Sequence, residues 1–171
     1  MATFRIVPER SRLSIEARSS LHPIRGESTG IEGTVEATTE DGRSETTVPV
    51  QARIEVPVEA LKSGNPLYDG EIRRRVDSRR YPMITGEARE MTPGTAPNRF
   101  RVVGQVTFHG VTQRAEGEVE CSVDAEGALH LEGERTFDVR DFGVQPPRIM
   151  MLRVHPEVRV GLSVVAEPAE S

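Results

Sequence analysis

The chain is poor in aromatic residues, with no Trp, two Tyr and five Phe among 171 residues. A core of this size with so few rings must be filled by small aliphatic side chains or stay partly unfilled. Cys121 is the only cysteine, so no internal disulfide can form. No apolar run approaches the roughly 18 residues of a membrane helix, and Met1–Arg5 lacks a basic-then-apolar signal pattern. We therefore expect a cytoplasmic protein without an export signal.

Charge and motif content exclude several function classes. The net charge of -5 argues against nucleic acid as a partner. The histidines lack the spacing of metal ligands, and there is no Gly-rich phosphate loop, nucleophile elbow or zinc-protease motif. The four histidines are His22, His109, His130 and His155. We expect no metal, no cofactor and no catalytic residue.

Most of the sequence alternates between apolar and polar residues, which is typical of strands with one buried face. The clearest case flanks the motif Val106–Thr112. Before this motif the apolar residues share one parity from Phe100 to Phe108, and after it they share one parity from Ala115 to Val123. A two-residue turn at His109–Gly110 would join the two strands into a hairpin.

About eight such strands follow one another, which predicts a mainly β, antiparallel barrel. Residues 58–80 break the pattern, because their apolar residues have helical spacing and Asn65-Pro66 is a suitable helix start. We expect this helical insertion to cover one end of the barrel. A turn is predicted at Thr39–Gly42, and residues 1–171 form a single domain that is ordered over about 4–167.

Several glycines occupy the apolar parity of different strands, where large aliphatic side chains would otherwise point inward. They are Gly33, Gly86, Gly104, Gly117 and Gly133. Missing side chains at these positions would leave a cavity inside a small barrel. The alternative is that the glycines mark bulges or relieve crowding between strands. The large apolar residues expected to line the cavity are Ile15, Ile54, Ile84, Val102, Val106, Phe108, Val119, Leu131, Phe137, Phe142, Met151 and Leu162.

Arg135 is the one charged residue on the inward parity of its strand, between Gly133 and Phe137. A buried guanidinium needs a polar partner, so Arg135 could contact the head group of a ligand. Alternatively, a bulge turns it outward to pair with Glu134 or Glu132. His109 is a second candidate for head-group contact, although a hydrogen bond within its turn is the simpler role.

Four motifs in this order resemble the YceI-like family of lipocalin-like isoprenoid-binding proteins. Val106–Thr112 is similar to the family's hairpin motif L-T-x-H-G-V-T, and it is accompanied by Ile24–Gly26, Arg80–Pro82 and Asp141–Gly143. The resemblance extends from about Phe4 to Glu167. It implies an extended eight-stranded antiparallel lipocalin-like β-barrel with a helical insertion. It also implies that the lumen binds a polyisoprenoid, quinone or similar lipid.

These observations favour a non-enzymatic protein that sequesters or transports an isoprenoid-like amphiphile. One alternative is an enzyme acting on such a lipid, with His109, Asp138 or Asp141 as acid–base groups. Another is a ligand-free interaction or stress-response module with a packed barrel. The arginines of residues 73–80 are either a solvated surface or a rim of the barrel mouth that attracts a ligand phosphate or makes transient contact with an anionic membrane. A homodimer is also expected if a strand edge is open.

Overall fold

The computed structural model describes residues 2–39, 47–146, 148–149 and 151–169, so most of the turn predicted at Thr39–Gly42 lies outside these ranges. The described residues form eleven strands and one α-helix. The strands are β1 (Ala2–Ile6), β2 (Arg12–Ser19), β3 (Ile24–Ser28), β4 (Glu32–Thr39), β5 (Thr47–Pro57), β6 (Met83–Pro93), β7 (Arg99–Phe108), β8 (Val111–Val123), β9 (Leu129–Asp138), β10 (Arg148–Ile149) and β11 (Leu152–Pro168). The helix is α1 (Pro66–Val76).

The strands close into an eight-stranded antiparallel barrel, as the sequence predicts. β1 and β2 follow β11 in line, with Ile6 paired to Ala166 and Leu13 to Leu162, so they act as one interrupted strand. β3 and β4 form a second interrupted strand, since β3 pairs with β2 and β4 pairs with β1. The remaining barrel strands pair with their neighbours in chain order from β4 to β9, and β11 completes the circle.

The predicted hairpin joins β7 to β8 through His109 and Gly110. Both residues have positive φ angles, 55° and 72°, which matches a two-residue turn of the type that suits the twist of a hairpin. Phe108 pairs with Val111 across the turn. A Cβ atom at position 110 would lie 2.7 Å from the Tyr81 ring, so the turn requires glycine both for its backbone angle and for its packing.

Helix α1 begins where the sequence predicts a helix start. The Asn65 side chain accepts hydrogen bonds from the backbone N–H groups of Leu67 and Tyr68, at 3.0 and 3.4 Å, and Pro66 occupies the first turn. The apolar side chains of Ile72 and Val76 pack with Val58, Val144, Ile84, Phe108 and Val139. The insertion therefore covers one end of the barrel, which we call the helix end.

The opposite end, which we call the packed end, is filled by a continuous apolar core. Its buried residues come from β1, β4 and the adjoining halves of the longer strands. They include Phe4, Ile6, Ile31, Val35, Phe100, Cys121, Leu129, Leu131, Val164 and Ala166. Two of the five phenylalanines, Phe4 and Phe100, lie in this core.

Two irregularities match features of the sequence. Pro49 lies in a run predicted to carry an edge or a bulge, and the pairing of β4 with β5 shifts there, from Glu36 with Gln51 to Ala37 with Pro49. β11 continues through Glu167 and Pro168, which pair with β1 and extend one residue beyond the predicted ordered region.

Candidate ligand-binding site

A cavity of about 360 Å³ occupies the barrel between the packed end and the helix end. Inward side chains of β2, β5, β6, β7, β8, β9 and β11 form its wall, and Ile72 and Val76 of α1 contribute to its lining at the helix end. Most of the lining side chains are aliphatic or aromatic. The volume is within the range of about 300–1,000 Å³ that is usual for small-molecule sites.

The structure places ten of the twelve predicted lining residues on this cavity. The other two residues lie elsewhere. Leu131 points inward but is buried in the core of the packed end, with 7% of its surface exposed. Met151 lies in the turn before β11 and is 91% exposed. Period-2 alternation assigns a face to a residue, but it does not assign a height along the barrel axis.

The five inward glycines divide into two groups. Gly86, Gly117 and Gly133 line the cavity, and a Cβ atom at Gly117 would have no heavy atom within 4 Å. Gly33 and Gly104 are required by close backbone approach, because a Cβ atom at either would lie 1.9 Å from a carbonyl oxygen of the neighbouring strand. Both interpretations left open by the sequence therefore hold, each for different glycines.

Three phenylalanine rings form the wall near the helix end. The Phe108 and Phe142 centroids are 5.7 Å apart and those of Phe137 and Phe142 are 6.3 Å apart, both in tilted or edge-to-face geometry. His109 is not part of this wall. Its Nδ1 lies 3.1 Å from the Phe142 carbonyl oxygen, and its ring packs on Tyr81 at 4.7 Å. His109 is thus outside the cavity lining and connects two turns, and its contact with a ligand head group stays a prediction.

The barrel wall has an opening between β8 and β9 that we call the side window. Pairing of these strands runs from Val123–Leu129 only to Val119–Gly133, and all residues beyond it in both strands are described. By contrast, β7 pairs with β8 along the whole of β7, and β9 pairs with β11 along its whole length. The side window is therefore bordered by residues 114–118 of β8 and residues 134–138 of β9. At the margin nearest the β7–β8 turn, the Gln113 side chain closes the side window by donating a hydrogen bond to the Asp141 carbonyl oxygen at 2.8 Å.

Arg135 lies at the side window and keeps its inward register, since it pairs with Val160 of β11. The predicted bulge and the pairing with Glu134 or Glu132 are not observed in this described segment. Instead Nη1 of Arg135 donates to the Glu116 carbonyl oxygen across the side window at 2.8 Å. The guanidinium also lies 5.0 Å from the centroid of the Phe137 ring. A side chain thus replaces the missing backbone pairing between β8 and β9.

The carboxylates around the side window are held by arginines on the outer surface. Hydrogen bonding to Arg114 is the main cause that lowers the pKa of Glu116, and Arg101 contributes to it. Hydrogen bonding to Arg99 likewise lowers the pKa of Glu118. Glu134 lies 3.4 Å from Arg159. Glu116 and Glu118 therefore remain ionised and paired at neutral pH.

The acid–base candidate Asp138 has a structural role. Asp138 accepts hydrogen bonds from the backbone and side chain of Arg140, which lower its pKa and fix the turn after β9. Neither Asp138 nor Asp141 lines the cavity. Among the described residues, no group of three or more His, Cys, Asp or Glu side chains could hold a metal ion. Burial raises the pKa of the Cys121 thiol to about 11, which is typical of an unreactive core cysteine.

Sequence reasoning missed the side window and the contribution of Ile72 and Val76 to the cavity lining. The helical spacing of the insertion signalled an apolar face, but it did not show what that face contacts. No helix within the described part of the chain is both long and apolar enough to span a bilayer.

Comparison with known proteins points to one family. A family model described as the YceI-like domain matches residues 4–166. Among solved structures, BcnA of Burkholderia cenocepacia is 16% identical, with 94% of this chain and 98% of that chain covered and a TM-score of 0.77. None of the curated proteins has a matching sequence.

Two further solved structures share the fold. A polyisoprenoid binding domain from Saccharophagus degradans, implicated in plant cell wall breakdown, is 10% identical, covers 99% of this chain and 100% of its own, and has a TM-score of 0.76. The YCEI protein of Campylobacter jejuni is 13% identical over 86% of both chains, with a TM-score of 0.68. At these identities the likeness establishes the fold.

Proposed function

Since this chain belongs to the YceI-like family, we propose that it binds an isoprenoid-like lipid inside the barrel and sequesters or carries it without altering it chemically. The observation that carries the proposal is the cavity of about 360 Å³ with its aliphatic and aromatic wall. The Saccharophagus degradans neighbour is described as a polyisoprenoid binding domain, and we extend that ligand class to this chain.

The shape of the cavity suits a chain-like ligand. Along β11 the lining runs from Val154 to Leu162. With a rise of roughly 3.3 Å per residue and a strand tilt of about 40°, this corresponds to about 20 Å along the barrel axis. A long, narrow apolar space favours an extended hydrocarbon over a compact ring system.

Burial of the hydrocarbon would supply the binding energy. Each buried CH₂ group contributes about 0.8 kcal/mol, so ten buried carbons contribute about 8 kcal/mol before the cost of immobilising the ligand is subtracted. This burial free energy requires no directional bond between the protein and the hydrocarbon. The affinity should therefore depend on chain length more than on the pattern of double bonds.

Binding without catalysis is supported by where the acid–base candidates of the sequence lie. The acid–base candidates His109, Asp138 and Asp141 are all outside the cavity lining. His109 is hydrogen-bonded to the Phe142 carbonyl oxygen, and Asp138 accepts hydrogen bonds from Arg140. A general acid or base must come within hydrogen-bond reach of the reacting atom. A ligand in the cavity would not meet these groups.

A contact with a lipid surface at the helix end is a second part of the proposal. Leu21, Leu67 and Met151 are exposed there. The His22 ring stacks on Tyr68 at 6.4 Å, which places the loop containing Leu21 beside α1. Exposed apolar side chains next to the arginines of α1 are the combination that favours anionic membranes.

The proposal is tested by identifying what the purified protein carries. Native mass spectrometry after gentle purification, followed by organic extraction, should reveal a hydrophobic ligand in stoichiometric amount. The same spectra report whether the predicted homodimer forms. A ligand-free protein that also fails to take up farnesol would contradict the proposal.

A pair of variants on β2 shows whether the ligand lies in the cavity. Ala17→Phe places a ring into the cavity and should abolish uptake of farnesol, because Ala17 lines it. Arg18→Phe adds the same ring at the next residue, which is exposed, and should leave uptake unchanged. Equal uptake by the two variants would show that farnesol binds elsewhere.

A further inference from the structure

We propose that the side window is a head-group site, in which Arg135 binds the phosphate or carboxylate of an anionic lipid whose chain extends into the cavity. This inference rests on the proposed function and deepens it by naming the chemistry of the ligand's polar end.

The position of Arg135 joins the cavity to the outer surface. Its register directs it inward with Val160, and it lines the cavity, yet it is exposed because the side window opens beside it. Glu116, Glu118 and Glu134, which belong to the opposite parity, also border the cavity. Inward-facing and outward-facing residues can both border the cavity only where the cavity continues through the barrel wall.

The side window differs from the other interruption of the barrel wall. Within the described ranges, β3 has no strand partner on the side away from β2, but the backbone of Lys62 exchanges two hydrogen bonds with Glu27 there, each of 2.9 Å. The backbone of Lys62 therefore closes the gap beside β3. At the side window, the hydrogen bond that the described residues make across the gap comes from the Arg135 side chain, and Gly117 opposite it leaves open space. A ligand group can therefore reach the guanidinium without displacing a strand.

The guanidinium has hydrogen-bonding capacity to spare. It has five N–H donors, and the observed hydrogen bond to the Glu116 carbonyl uses Nη1. Among the described residues, no carboxylate oxygen lies within 4.0 Å of Arg135. The edge formed by Nε and Nη2 is the fork that pairs with a carboxylate or phosphate through two parallel bonds.

The surrounding charges favour an anion over a neutral head group. Glu116 pairs with Arg101 and Arg114, and Glu118 pairs with Arg99. The Glu134 carboxylate is likewise within reach of Arg159. Because each of these three carboxylates already has an arginine, none of them neutralises the positive charge of Arg135.

The experiment compares ligands that share a chain and differ in the head group. Displacement of the neutral probe N-phenyl-1-naphthylamine is measured with farnesyl monophosphate against farnesol, and with palmitate against hexadecanol. Each acid should bind at least tenfold more tightly than its alcohol. In Arg135→Gln the acids should fall to within threefold of the alcohols, while the affinity for the alcohols stays the same. The ratio of acid affinity to alcohol affinity in the farnesyl pair, compared with the same ratio in the palmitate–hexadecanol pair, shows whether the site prefers phosphate or carboxylate.

Two variants distinguish the effect of the paired N–H donors of Arg135 from the effect of its positive charge. Arg89→Gln removes one positive charge from the outer face of β6, where Arg89 pairs with Glu87, and should keep the full preference for acids. Arg135→Lys keeps the charge without the fork and should retain only part of the preference.

The outcomes distinguish the two proposals. Equal affinities for acids and alcohols in the wild-type protein would overturn the head-group site while leaving lipid binding intact. A preference for acids that persists in Arg135→Gln would also overturn it. If no acid or alcohol displaces the probe, the proposed function itself fails.

Discussion

Two inward glycines should respond in opposite directions to the same substitution. In Gly117→Ala the new methyl group enters open space beside the side window, since no heavy atom would lie within 4 Å of it. In Gly104→Ala the methyl group would lie 1.9 Å from the Glu87 carbonyl oxygen, opposite the shift in pairing between Ala88 and Glu90. Both glycines lie in strands and share the apolar parity, so sequence pattern alone does not distinguish them.

The expected magnitudes follow from these distances. Replacing glycine by alanine where the backbone already suits alanine stabilises a protein by about 0.4–1 kcal/mol, mainly by restricting the unfolded chain. At Gly104 the strands must separate by about 1 Å before the methyl group fits, and such overpacking costs about 1–3 kcal/mol. For a domain of this length, 1 kcal/mol shifts the melting temperature by about 2–4 °C. Gly117→Ala should therefore raise the melting temperature by about 1–4 °C, and Gly104→Ala should lower it by about 2–12 °C.

Thermal unfolding followed by far-UV circular dichroism measures both variants, and urea titration gives the free energies of unfolding independently. Gly33→Ala provides a second close-approach position, because its φ of 149° and its contact with the Arg53 carbonyl both require glycine. If Gly117→Ala and Gly104→Ala change stability by the same amount and sign, the division of glycines into two groups is refuted.

Three other predictions concern single groups and one surface. Because burial raises the pKa of Cys121 from 9.0 to about 11, iodoacetamide at pH 8 should modify the native thiol at least about 100-fold more slowly than the urea-unfolded thiol, and equal rates would contradict this. The His130 side chain and backbone N–H groups lower the pKa of Asp124 to about 2, so its stabilising effect is complete above about pH 4 and is lost as the pH falls to 2. Asp124→Asn should thus be less stable than wild type at pH 6 in urea titrations, with the difference shrinking at pH 2, and a constant difference would count against the pairing. Reversing the charges of residues 73–75 to Glu should weaken binding to phosphatidylglycerol vesicles at low salt by tenfold or more, whereas unchanged binding in a sedimentation assay would remove the proposed membrane contact.

Much of the fold was accessible from local pattern. Strict alternation on both sides of His109–Gly110 predicted the strands and the hairpin, since a two-residue turn with positive φ needs residues such as glycine. Asn65-Pro66 predicted the start of α1, because a side-chain acceptor and a preset φ are what a helix N-terminus requires. The parity of each strand placed most of the cavity residues on the inner face.

Other features depended on how distant segments meet. Leu131 and Met151 were assigned to the cavity because alternation does not encode height along the barrel or where a strand begins. Likewise, no local pattern separates Gly117 from Gly104, since the difference is the distance to a neighbouring strand.

By itself, the sequence determined which residues face inward, where the chain turns and that the interior is short of bulk, because these depend on neighbours along the chain. Only the tertiary structure decided that the empty volume gathers near the helix end and that β8 and β9 separate beside Arg135. Both depend on how far each pair of strands stays in register, which is set by twist and closure of the whole barrel.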